Sequence, residues 1–182
     1  MKPRSSACTL ALLFAVLVLY ASLYPFSGWR AQGGMSWDWL VAPMPRYWTA
    51  FDVWANLLGY IPLGFLLATA MLRTGWGGWS WPLAAVLPAL LSLAIETAQT
   101  LLPMRVPSNL DLALNSAGGV LGASLAWVLN RWGLMQRWDQ WRSDWFEADA
   151  HGGLVLLGLW FPALLYPAPI PFGLGQVWER VE

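Results

Sequence analysis

Five apolar segments constrain what this chain can become. Residues 7–26, 51–72, 81–102, 110–130 and 152–166 are uncharged or nearly so. About 20 apolar residues in a helix are needed to cross the ~30 Å hydrocarbon core of a bilayer, and the first four segments reach that length. The fifth is roughly 22 Å long as a helix, and either barely spans or is one half of a helical pair whose partner is missing from this chain; it then dissolves into Pro167, Pro169 and Pro171. The rest of the composition agrees. Charged residues make up 11% of the chain and hydrophobic ones 58%, against roughly 25% charged in ordinary globular proteins. The expectation is an all-α fold: a polytopic membrane helix bundle of four to five transmembrane helices and one interfacial amphipathic helix.

One bundle accounts for the whole length. The natural divisions are a four-helix membrane domain over residues 1–130, an amphipathic helix over 131–149, and a fifth apolar helix with a Pro-rich tail over 150–182. Lys2 and Arg4 precede the first apolar run. A signal peptide starts the same way, but its apolar region is only about 7–15 residues and ends in small residues. The longer run and its Tyr-Pro-Phe exit favour an uncleaved first transmembrane helix. Pro62 is expected to kink the second helix, and Pro88 to interrupt the third. In segment 131–149, Met135, Trp138, Trp141 and Trp145 recur at helical spacing opposite Asp139, Arg142, Ser143 and Glu147, as in a helix lying in the headgroup region. The odd helix count and the abrupt C-terminal end fit a chain truncated relative to longer relatives.

Several function classes are excluded. Ten basic and ten acidic residues balance, leaving no electrostatic footprint for nucleic acid. Cys8 is the single cysteine, which rules out an intramolecular disulfide and a Cys-based zinc site. Nucleotide-binding glycine motifs are absent. His151 is the only histidine and reads as an interfacial residue. No cofactor is expected. Lys2, Arg4, Arg73, Arg131, Arg137 and Arg142 fall on one side of the membrane and Arg30, Arg46, Arg105 and Arg180 on the other. That modest bias puts the N-terminus in the cytoplasm.

The polar residues inside the apolar segments are the candidate site, because charges and amides within a membrane need a reason to be there. With the N-terminus inside, Asp52 and Asn56 sit at the outer end of the second helix. Glu96, Gln99 and Arg105 sit at the outer end of the third, and Asp111 and Asn115 at that of the fourth. All seven are expected in one ligand-binding pocket at the extracytoplasmic surface. Residues 51–59 and 110–118 share D-x-x-x-N-x-x-G, which places the Asp and Asn on one helix face and suggests a degenerate parallel repeat; chance is the alternative. Bland readings stand beside these. The aspartates can be first-turn acids favoured by the helix dipole, and the asparagines interhelical hydrogen-bond donors. Gly59, Gly118 and Gly122 are expected to let helices pack closely, and Arg105 to be the counter-ion of Glu96 or Asp111. Trp37, Trp39, Trp48 and Trp54 read as interface anchors, with stacking on a sugar as the less favoured alternative.

Glu96, Gln99, Arg105, Asp111, Asn115 and Gly118 follow the pattern E-x-x-Q, R, D-x-x-x-N-x-x-G. This stretch resembles the core of the VanZ-like family of bacterial inner-membrane proteins, well over residues 51–130 and loosely over the first helix. The family is named for a member associated with resistance to the glycopeptide teicoplanin. The resemblance implies a multi-pass protein of the cytoplasmic membrane and a cell-envelope role, without fixing a reaction. Three classes remain open. The first is a binder of a lipid-linked or envelope molecule. The second is a membrane enzyme with Glu96 or Asp111 as acid or base and Arg105 on a phosphate. The third is a scaffold in an envelope assembly. A hard cation held by Asp52, Glu96 and Asp111 is chemically conceivable, but nothing in the sequence fixes its geometry. Oligomeric state is not legible.

Overall fold

The computed structural model describes residues 6–30 and 37–145, together with 153, 156, 157 and 160. Every regular element among them is helical. Four helices are long and apolar enough to cross a membrane: α1 (Ser6–Leu23), α3 (Ala50–Thr74), α4 (Ser80–Gln99) and α5 (Asn109–Arg131). A short helix, α2 (Asp38–Val41), interrupts the loop after α1, and α6 (Leu134–Trp145) follows α5. The expected 131–149 helix is therefore seen over 134–145, and residues 146–149 lie outside the described residues. So do His151 and nearly all of the fifth apolar segment and Pro-rich tail.

Local chemistry explains the helix ends. Thr49 caps α3 through a capping box with Asp52, which satisfies two backbone donors that no helical carbonyl can reach. Gly75 takes the left-handed conformation that closes the same helix, a geometry that favours glycine. Ser108 caps α5. The third transmembrane helix ends at Gln99, short of the expected 102. Thr100, Leu101 and Leu102 instead donate to the carbonyls of Thr97, Ala98 and Gln99, the tighter turn common at helix ends. Pro88 does not interrupt α4, which is helical on both sides of it.

The packing is built on small residues. Between membrane helices there is little hydrophobic drive, so close approach and dispersion decide which faces meet. A Cβ at Gly118 would overlap the Leu57 carbonyl, one at Gly122 the Ile61 carbonyl, and one at Gly64 the Gly119 backbone. Contact positions rise together along the two chains, so α3 and α5 run parallel. Helix α4 packs antiparallel against α5. Trp81 Nε1 donates to Ser124 Oγ at 3.0 Å and Asn115 Nδ2 to Ser92 Oγ at 2.9 Å, and Pro88 fits over Gly119. At the end where α4 finishes, Leu23 of α1 packs with Ile95 and Leu102. Toward the opposite end, Ala68, Ala84, Ala85, Ala123 and Ala126 form a fully interior alanine seam with Phe65, Leu67, Met71 and Met135 against it.

Gly59 is the exception among the expected packing glycines. A Cβ there would meet nothing within 4 Å, so no interhelical contact requires it to be glycine.

Candidate functional site

The polar residues gather where α3 and α5 begin and α4 ends. Asp52, in the first turn of α3, is exposed, and its Oδ2 accepts from the Thr49 backbone N–H at 2.9 Å and the Thr49 hydroxyl at 2.8 Å. One turn further in, Asn56 is half-buried and its amide bonds the carboxyl of Asp111. Asp111 stands in the first turn of α5, half-buried, with its own N–H donating to Ser108 Oγ at 3.3 Å. Its carboxyl lies within electrostatic reach of both Asp52 and Glu96. The two D-x-x-x-N segments thus face one another across the parallel α3–α5 contact.

Burial deepens toward α4. Glu96 is 3% exposed, and its Oε2 accepts the Ser108 backbone N–H at 2.8 Å. Ser108 therefore serves twice, its hydroxyl capping α5 and its amide holding the buried carboxylate. Asn115 is 4% exposed. Its Nδ2 is used by Ser92, while its Oδ1 is buried without a partner. The Tyr60 hydroxyl is also buried, with no well-aligned hydrogen bond, its polar neighbours being the Ser92 hydroxyl and Glu96. A buried polar atom left unpaired costs about 1–3 kcal/mol, so two in one place are a feature to account for.

Two of the seven candidates lie apart from this cluster. Gln99 is buried, and its Nε2 donates to the Ser22 carbonyl of α1 at 3.0 Å. Arg105 is exposed, and its guanidinium donates to the Tyr24 carbonyl at 3.1 Å. The counter-ion role expected of Arg105 is corrected accordingly. It ties the loop after α4 to the end of α1, because a guanidinium on an exposed loop can satisfy its donors on a carbonyl without reaching a desolvated carboxylate. Among the described residues, no three His, Cys, Asp or Glu side chains converge as a metal would require.

Sequence reading missed Thr49, Tyr60, Ser92 and Ser108. Signals for all four were present. T-x-x-D at 49–52 and S-x-x-D at 108–111 are helix-start signatures. Ser92 lies four residues before Glu96, and Tyr60 four after Asn56, on the same helix faces. Of the tryptophans near this end, Trp39 is buried and Trp37, Trp48 and Trp54 are exposed. The loop carrying Trp39 is fastened over α5 by Asn109 Nδ2 donating to the Ala42 carbonyl at 2.6 Å.

Four apolar spans holding a buried polar cluster at one end define a multi-pass helical membrane protein. The VanZ/LLP1 family model matches residues 7–130, and the chain belongs to that family. The match takes in the first helix as well as the polar core. No curated protein and no solved structure matches the chain.

Proposed function

We propose that this is a bacterial inner-membrane protein that binds the polar head of a lipid-linked or cell-envelope molecule at the extracytoplasmic face. A glycopeptide (teicoplanin) resistance-type effect is one consequence such binding would have. The observation that carries the reading is the gradient of polar groups from exposed Asp52, through half-buried Asn56 and Asp111, to buried Glu96, Asn115 and Tyr60. Two of the buried members have unsatisfied polar atoms. A cluster serving only to hold helices together gains most when its groups are paired with one another. Unpaired atoms at the inner end of a graded polar path suit a ligand that completes them. Orientation rests on the Lys and Arg distribution described above.

The enzyme reading uses the same Glu96 and Asp111 and is second, since the Arg105 it needs for a phosphate is directed at the Tyr24 carbonyl. Native mass spectrometry of the detergent-purified chain tests the binding reading. Wild type should carry a copurified amphiphile that Glu96→Gln and Asp111→Asn lose while remaining folded. If no sample carries one and both variants melt markedly lower, the cluster is structural and the chain a scaffold.

A further inference from the structure

The head-group site has a chemistry of its own. Apart from the Tyr60 hydroxyl, its donors are already in use: the Thr49 amide and hydroxyl on Asp52, the Ser108 amide on Glu96, the Asn115 amide on Ser92 and the Asn56 amide on Asp111. What remains in excess is acceptors. The carboxylates of Asp52, Asp111 and Glu96 have lone pairs to spare, and Asn115 Oδ1 is buried with none of its capacity used. No Lys or Arg side chain among the described residues bonds any of the three carboxylates, and Arg105 is committed to Tyr24.

We infer that the site receives a primary ammonium group, bound between the Asp52 and Asp111 carboxylates with Asn115 Oδ1 accepting at the inner end. This rests on the head-group reading above. A phosphate would add negative charge to three acids and find only the buried Tyr60 hydroxyl free to donate to it. A neutral hydroxyl brings one donor but leaves the carboxylates repelling one another, an effect that strengthens as the dielectric falls. Among the described residues no three acids converge as a metal site would require, whereas an ammonium needs only the Asp52–Asp111 pair. An ammonium carries three N–H donors and a positive charge, which matches both the surplus acceptors and the uncompensated acid. The amine is either lipid-borne or free.

Binding to the full-length protein in detergent is measured for three lipids of matched chains and for free ethanolamine. Phosphatidylethanolamine has an ammonium with N–H donors, phosphatidylcholine the same charge without donors, and phosphatidylglycerol hydroxyls and net negative charge. Phosphatidylethanolamine should bind about tenfold or more tighter than either other lipid, a difference of roughly 1.4 kcal/mol. Asp111→Asn and the exposed-site variant Asp52→Asn should each erase that preference. Competition by ethanolamine alone identifies a site that reads the free amine; binding of the lipid without such competition identifies a lipid-borne one. Equal or tighter binding of phosphatidylglycerol that both variants abolish overturns the amine and leaves head-group binding standing. A phosphatidylethanolamine preference unchanged in both variants overturns the inference by placing the amine elsewhere. Failure of every lipid to bind overturns both readings.

Discussion

Ser108 links two functions in one residue, and its two polar groups can be separated by substitution. Ser108→Ala removes the α5 cap but keeps the amide that Glu96 accepts. Loss of such a cap costs about 0.5–2 kcal/mol, so the variant should melt lower in detergent and still bind its ligand. Ser108→Pro removes the amide donor as well. It should abolish binding beyond what the loss of stability explains, which a comparison of melting and lipid retention for the two variants will decide. At this scale the sequence was partly readable. Asp and Asn four apart must share a helix face, so the pairs Asp52–Asn56 and Asp111–Asn115 were accessible from spacing alone. The direction taken by Arg105 was not, because a long side chain on a loop takes its partner from whichever segment folds beside it, and Tyr24 is far away in sequence.

Between elements, the α3–α5 contact depends on glycine at specific positions. Gly122→Leu would drive a side chain into the Ile61 carbonyl and the next turn of α3. Overpacking typically costs about 1–3 kcal/mol and here must also move backbone; aggregation or a large drop in melting temperature is the expected readout. Gly59→Ala is its control. With open space at that Cβ, the change should be neutral or stabilising by up to about 1 kcal/mol, the helix-propensity difference. The repeat made Gly59 and Gly118 look equivalent. They are not, because Leu57 meets Gly118 and Ile61 meets Gly122, a pairing in which corresponding positions of the two helices do not face each other. Only one glycine of the repeated pair falls at the contact.

At the scale of the whole chain, α3 has 25 residues and rises about 37 Å, more than the ~30 Å hydrocarbon core. Its ends therefore reach the two interfaces. Exposed Tyr47, Trp48 and Trp54 flank one end and Trp76, Trp79 and Trp132 the other, the distribution of aromatic anchors at both membrane surfaces. With the native thiol removed as Cys8→Ser, Asp52→Cys should be alkylated by an impermeant reagent from outside intact cells, and Trp76→Cys only after permeabilisation. The reverse pattern would invert the protein and place the acid cluster in the cytoplasm.

The sequence by itself determined the class: apolar runs of about 20 residues match the thickness of a bilayer at the rise of a helix, and the polar residues at their ends are legible along each run. It also determined which acids and amides share an end of the bundle. Only the tertiary structure decided that Glu96 rests on the amide of Ser108, that Gln99 and Arg105 turn away to α1, and that Asn115 and Tyr60 retain unsatisfied atoms. The reason is physical. Periodicity fixes a residue's face along its own helix, whereas partners depend on the rotation and register between helices, and those are set by the small residues that let backbones touch.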